Sequence, residues 1–358
     1  MNAGVSLPAW LLVSGVVVVA VLIPGAWLWL RSARRFRGTQ SVADAYDRWT
    51  NDALLERLWG DHVHLGHYGT PPRARDFRQA KVDFVHALVR WSGLDQLPPG
   101  STVLDVGCGI GGSARILARD YGLTVLGISI SPAQIARAQA LTPSSLAARC
   151  RFAVMDALDL DLADASFDAV WSVEASPHMP DKQRYADELL RVLRPGGQLA
   201  VADWNRRDPA DGPLTPFEAA VMRQLLQQWA HPEFASIASL TANLRQSSWN
   251  GGLRVESADW TAATLPSWRE SIFEGFRRPL AVLSLGPGAL FQGLRETPTL
   301  LLMDWAFRSG MMQFGVFRGR KALPETHPQG VVDAERSPTT TGSASSPPSS
   351  SSDRVSSG

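Results

Sequence analysis

Residues 103–112 read Val-Leu-Asp-Val-Gly-Cys-Gly-Ile-Gly-Gly, an apolar run that delivers an acid and then alternating glycines. Glycine takes positive φ at little cost and lets a ligand approach the backbone. Asp105-x-Gly107-x-Gly109-x-Gly111, with Cys108 in the same turn, therefore suits a nucleoside-containing cofactor at the carboxyl edge of a parallel sheet. The spacing is one residue short of the dinucleotide fingerprint G-x-G-x-x-G, although Gly112 follows. Asp156, beside Ala157, ends a later apolar run, where its carboxylate can accept from an adenine amino group. Glu174 and His178 end another. A histidine titrates near neutrality, which makes His178 the candidate base, with Glu174 to orient it or to hold the cofactor. Tyr46, His62 and His64 are candidates to close over the cofactor or to meet a substrate hydroxyl. His62 and His64 have no nearby cysteine and no third spaced ligand, which argues against zinc.

These residues need a scaffold. Leu123 to Ile130, Arg151 to Met155, Phe167 to Val173 and Gln198 to Trp204 read as buried strands, after the strand that carries Asp105. Helical stretches lie between them, at Ser113 to Arg119 and Arg184 to Leu193, and Ser131-Pro132 reads as a helix N-cap followed by proline at the first helical position. Strands and helices in alternation imply right-handed βαβ units and a parallel sheet over about residues 80–206. The fold expected is α/β and Rossmann-like, with helical lid insertions. Residues 215–320 show no clean pair of further strands at the usual distance. Helices are expected there at Phe217 to Trp229, Ser236 to Ser247, Trp268 to Arg278 and Thr299 to Phe307, and the last strands at Arg308 to Arg320. The many Phe and Trp of this stretch can wall a long apolar pocket or rest on a bilayer.

The chain of 358 residues has 35 Lys and Arg against 34 Asp and Glu, so no electrostatic case for nucleic acid exists. Its two cysteines, Cys108 and Cys150, suit a reduced compartment. Leu7 to Leu30 carries no charge, long enough to span a hydrocarbon core of about 20 helical residues. Arg31, Arg34, Arg35 and Arg37 follow it, and no Lys or Arg precedes it. The expectation is one N-terminal transmembrane helix, with the rest of the chain on the cytosolic side. From Ala322 onward the chain is rich in Ser, Pro and Thr and is expected to be disordered. The domain reading is an anchor at 1–38, a capping segment at 39–79, a cofactor-binding core at 80–206, a lid with the last strands at 207–321 and a tail at 322–358.

The glycine motif resembles the first motif of the class I S-adenosylmethionine-dependent methyltransferases. Many of those end the next strand with an acid for the ribose, where this chain has Ser129. Cyclopropane-forming and tocopherol-type methyltransferases have a hydroxyl residue there, and the cyclopropane-forming enzymes a glutamine five residues on, which Gln134 matches. That resemblance assigns Ser129 and Gln134 to the ribose. Ser41-Val-Ala-Asp-Ala-Tyr46-Asp-Arg-Trp49, Trp59-Gly-Asp-His62-Val-His64-Leu-Gly-His-Tyr-Gly69 and Val173-Glu174-Ala-Ser-Pro-His178-Met-Pro-Asp-Lys182 resemble the tocopherol methyltransferase family. So do Val201-Ala-Asp-Trp204-Asn205 and Met222 to Trp229, and the resemblance covers about residues 7–320. It implies carbon methylation of a prenylated hydroquinone on the way to tocopherols, with a solanesyl analogue toward plastoquinone as a second acceptor; the alternative reading within the family is ring methylation of γ-tocopherol. Pro177 precedes His178 where the cyclopropane branch has glutamate, which puts any transfer of that branch's active-site chemistry in doubt. A nicotinamide-dependent quinone reductase would want an acid at position 129 for NAD, and Ser129 argues against it. A cofactor-binding scaffold without catalysis is the other alternative.

Overall fold

The computed structural model describes residues 36–323 without a break, and residues 25, 27, 29–31 and 33 before them. The expected anchor at Leu7 to Leu30 lies almost wholly outside the described residues, as does the Ser/Pro-rich tail. Among the described residues no helix is long and apolar enough to cross a membrane.

Seven strands form one sheet: β1 (Thr102–Val106), β2 (Thr124–Ser129), β3 (Cys150–Val154), β4 (Phe167–Val173), β5 (Leu193–Arg206), β6 (Arg254–Asp259) and β7 (Met312–Arg320). Their order is β3-β2-β1-β4-β5-β7-β6. The first five run parallel, and β7 lies antiparallel between β5 and β6. This is the seven-stranded α/β sheet of the class I methyltransferase fold. Twelve α-helices are described: α1 (Thr39–Asn51), α2 (Leu54–Trp59), α3 (Phe77–Ser92), α4 (Gly112–Asp120), α5 (Pro132–Leu141), α6 (Lys182–Val192), α7 (Pro216–Gln228), α8 (Ile237–Gln246), α9 (Thr261–Thr264), α10 (Pro266–Arg277), α11 (Pro279–Leu283) and α12 (Pro287–Arg308).

The central strands are apolar throughout because both faces of the sheet are covered. Val103, Ala169, Trp171, Ala200 and Ala202 share one core with Phe84, Val85 and Leu88 of α3 and with Ala114 and Leu117 of α4. Their strand neighbours Leu104, Val106, Val170, Leu199 and Val201 face the other way, onto Tyr185, Leu189 and Leu240. The parallel strand positions expected from the sequence are close to those observed, and Ser131 does cap α5, its hydroxyl accepting from the Gln134 amide at 3.1 Å.

The C-terminal third departs from expectation. A clean further pair exists: β6 and β7 run antiparallel over six residue pairs. β6, Arg-Val-Glu-Ser-Ala-Asp, is an edge strand with only Val255 fully buried, so it lacks the apolar alternation that announces a strand. The Arg308 to Arg320 stretch supplies one strand rather than two. α12 begins well before Thr299 and carries Pro298 within it, where proline normally signals a stop.

The order reverses between β1 and β4. The chain leaves β1 toward β2 on one side and β4 toward β5 on the other, which opens a crevice at their carboxyl ends. The glycine loop follows β1 into that crevice, and Glu174 follows β4 into it.

Candidate active site

The glycine loop is shaped by contacts that exclude side chains. Gly107 has φ +76°, and a Cβ there would lie 2.7 Å from the Ala175 Cβ after β4. A Cβ on Gly112 would lie 2.3 Å from the Asp61 carbonyl oxygen, because the capping segment rests on the start of α4. Gly109, at φ +54°, meets nothing and faces open space. A cleft opens here. Gly107 and Gly109 line one part of it, Ser129 and Gln134 another, and Met155, Asp156 and Ala157 a third, with Thr39, Val42 and Tyr46 of α1 above.

The residues fit S-adenosylmethionine. Asp105 sits behind the loop, buried, and its Oδ2 has no hydrogen-bond partner among the described residues. Burial alone pushes its pKa up to about 7. A buried acid without a partner is costly, and the cofactor's ammonium is a group that would relieve it. The Ser129 hydroxyl donates to Gln134 Oε1 at 2.7 Å and accepts from the Ser131 amide at 3.1 Å. That leaves the Gln134 amide NH₂ to meet ribose hydroxyls. One oxygen of Asp156 accepts from the Leu158 amide at 2.9 Å, and the carboxylate has a second to offer an adenine amine.

Asp105, Cys108 and Gly111, expected at the cofactor, are not among the residues that line the cleft; Cys108 and Gly111 support the loop, and Asp105 lies behind it with one oxygen unpaired among the described residues. The Cys108 amide donates to the Ile128 carbonyl at 2.9 Å, and its Cβ lies 3.0 Å from where a Gly127 Cβ would stand. Gly111 is the N-cap of α4, at φ +81°. Both cysteines are free.

A second, larger cavity adjoins the first. It is walled by Trp49, Leu54, Trp59, Trp204, Trp229 and Leu300, among others, and shares Tyr46, Val63, Glu174 and His178 with the cofactor cleft. At that junction the Tyr46 hydroxyl and His178 Nε2 are 2.7 Å apart. His178 Nδ1 is buried without a partner among the described residues. Burial, with the charge of Lys182 behind it, pulls the His178 pKa down to about 3. Glu174 sits at φ +55°, and its Oε1 accepts from the Leu65 amide at 2.7 Å. Burial raises its pKa to about 8, against the Leu65 hydrogen bond. Burial and the charge of Glu174 also raise Tyr46, which stays a phenol.

His62 and His64 line neither cavity. They are buried and paired with each other, Nδ1 to Nε2 at 3.1 Å, and His64 Nδ1 meets the Leu65 carbonyl at 2.8 Å. Lys81, buried against the Trp59 and Phe77 rings, donates to the His62 carbonyl at 2.8 Å. Asp61 pairs with Arg115 at 2.8 Å. The two histidines thus pack within the capping segment, outside both cavity linings. Sequence reasoning missed His231, whose ring lies 4.3 Å from that of His178 and lines the apolar cavity. Its signal was a histidine between Ala230 and Pro232, just past a helix, in an otherwise apolar stretch. No group of three or more His, Cys, Asp or Glu among the described residues is placed to hold a metal.

Known proteins resemble this chain in sequence and in fold. The methyltransferase domain family matches residues 104–201. A Synechocystis protein named 2-methyl-6-phytyl-1,4-hydroquinone methyltransferase is 54% identical over 312 residues, which is 87% of this chain and 97% of that one. The chloroplastic tocopherol O-methyltransferase of Arabidopsis thaliana is 31% identical over 79% of this chain and 82% of its own length. Among solved structures, the cyclopropane synthase MmaA2 of Mycobacterium tuberculosis superposes with a TM-score of 0.66 at 17% identity, covering 79% of this chain and 99% of that one, which is a likeness of fold.

Proposed function

We infer that this chain, which belongs to the tocopherol methyltransferase family, is the enzyme that methylates a ring carbon of a prenylated hydroquinone, with 2-methyl-6-phytyl-1,4-hydroquinone as the acceptor. One observation carries the reading: a cofactor cleft and a larger apolar cavity meet at Tyr46, Glu174 and His178. The polar head of a tailed hydroquinone belongs at that junction, and its hydrocarbon tail among the Trp and Leu side chains beyond.

S-adenosylmethionine, when bound, supplies an electrophilic methyl group on a positively charged sulfur. The chain's own residues do the rest. Gly107 and Gly109 let the amino-acid end approach the backbone, Gln134 and Ser129 hold the ribose, and Asp156 with Ala157 holds the base. A ring carbon ortho to a phenol becomes a useful nucleophile when the phenolic proton leaves, and that proton has a free pKa near 10, as in tyrosine; once that carbon carries the methyl group it loses its hydrogen as a proton, and the aromatic ring and its hydroxyl are restored. His178 has too little proton affinity to take the phenolic proton. Glu174, at about 8, is far better matched, so its ionised form, whose share grows as pH rises toward 8, is the proton acceptor, and the Tyr46–His178 pair orients the ring hydroxyl. Holding ring carbon and methyl in line supplies on the order of 7–11 kcal/mol of the barrier. The charge-free run Leu7 to Leu30 and the arginines after it support attachment to a membrane, with the active site on the cytosolic side beside a lipid-soluble acceptor.

The test incubates the full-length chain with methyl-labelled S-adenosylmethionine and 2-methyl-6-phytyl-1,4-hydroquinone. A ring-methylated product is expected. Cofactor binding without that product would overturn the substrate assignment, and preference for γ-tocopherol in direct competition would reassign it.

A further inference from the structure

The acceptor cavity opens through a rim that water should not favour. Phe276, Leu283, Leu290 and Leu294 line the cavity and are also 76%, 59%, 43% and 66% exposed. Leu280 at 79% and Phe291 at 66% exposure extend the apolar surface outward along α11 and α12 without lining the cavity. Exposed apolar patches of this kind mark interaction surfaces.

Two observations say what covers it. The last residues of the charge-free Leu7 to Leu30 run are fastened beside this face: the Trp29 indole donates to the Thr299 hydroxyl of α12 at 3.2 Å, and Gln228 at the end of α7 donates to the Trp29 carbonyl at 3.2 Å. Next to that point lies a groove lined by Leu30, Arg31, Arg37, Arg48 and Asp44, three guanidinium groups against one carboxylate. An apolar face flanked by arginines complements a bilayer whose headgroups are anionic.

We propose that the exposed faces of α11 and α12, together with the Arg31–Arg37–Arg48 groove, form a docking surface for an anionic lipid bilayer, through which the tailed acceptor passes from the lipid into the cavity without crossing water. The proposal rests on the substrate reading above. The surface acts in addition to the N-terminal run: the run holds the enzyme near the membrane, and the surface sets the cavity mouth against it.

The test uses the full-length chain carrying Leu280→Glu and Phe291→Glu, and in a second variant Arg31→Gln, Arg37→Gln and Arg48→Gln. Each is assayed with 2-methyl-6-phytyl-1,4-hydroquinone embedded in phosphatidylglycerol or phosphatidylcholine vesicles, and with a tail-less 2,6-dimethyl hydroquinone in water. The glutamate variant is expected to lose about tenfold or more on the embedded acceptor, as two charges placed in an interface should cause, and to keep its rate on the tail-less one. The unaltered chain is expected to prefer phosphatidylglycerol vesicles, and the arginine variant to lose that preference. Unchanged vesicle rates, or equal losses on both acceptors, would overturn the proposal. So would self-association of the unaltered chain that the glutamate substitutions abolish while vesicle rates hold, which would give the face to a second copy of this chain. If the unaltered chain methylates neither acceptor, even in detergent, it is the substrate reading that fails.

Discussion

At the scale of single residues, burial sets the chemistry. His178 was the natural base by type and place in the sequence, yet enclosure pulls its pKa to about 3, and the same enclosure lifts Glu174 to about 8. Glu174→Gln is expected to cut turnover by about 10²–10⁴-fold, the usual range for a lost general base, with cofactor affinity measured by calorimetry in parallel. Tyr46→Phe, which keeps the ring and removes only the partner of His178, is expected to cost less, about tenfold, for one hydrogen bond that orients rather than reacts. The reverse order of losses would return the base to the His178 side. Stability should report the same shifts. Glu174, Asp105 and Asp203, the last also raised by burial to about 7, hold protons in the folded chain that the unfolded chain releases near pH 4. Their contribution is therefore present at low pH and lost as pH rises from about 4 through 8. His178 and His62, lowered to about 3, act in the opposite sense, their contribution being lost as pH falls below about 6.5. Between pH 6.5 and 8 the acids act without that opposition, so these groups lower the unfolding free energy across the window. Glu174→Gln should flatten the decline. Denaturant titrations of the cofactor-free chain at the two pH values measure it, and parallel declines would contradict it.

Secondary-structure elements decide which of those residues meet. Gly107 is held at φ +76° against Ala175, so Gly107→Ala brings both a left-handed penalty of roughly 1–2 kcal/mol and a clash between two loops. Equilibrium dialysis should show cofactor affinity at least about tenfold weaker, the equivalent of 1.4 kcal/mol, and unchanged affinity would mean that the loop does not touch the ligand. Gly275 of α10 and Gly293 of α12 both line the acceptor cavity, and a Cβ at either meets nothing within 4 Å. Gly293→Leu should therefore shorten the space for a tail. Its kcat/KM is expected to fall for the phytyl acceptor by about tenfold, since rearranging a misplaced chain costs 1–3 kcal/mol, and to hold for a tail-less one. These helices were visible as apolar stripes, whereas their partnership around one cavity was not. α1 shows the limit plainly: Asp47 reaches α5, accepting from the Ala133 amide at 3.2 Å, a contact 86 residues apart that no local pattern announces.

In the whole molecule the cofactor cleft is a meeting of the loops after β1, β2, β3 and β4 with α1. Saturating S-adenosylhomocysteine should therefore slow amide exchange in Thr39–Asn51 as well as around residues 105–157. Protection confined to the sheet loops would show that α1 does not close on the ligand. The parallel half of the sheet and the place of the glycine turn were legible because buried strands are continuous apolar runs and only glycine tolerates the loop's positive φ. Ser129 and Gln134, picked out through likeness to relatives, both line the cleft. The edge strand β6 was hidden because pairing on one side leaves its side chains free to be polar. The proton affinities of Glu174, His178, His62 and His64 were hidden for a different reason: residue type names the groups that can move a proton, but proton affinity depends on how much water and charge the packed fold leaves around each one.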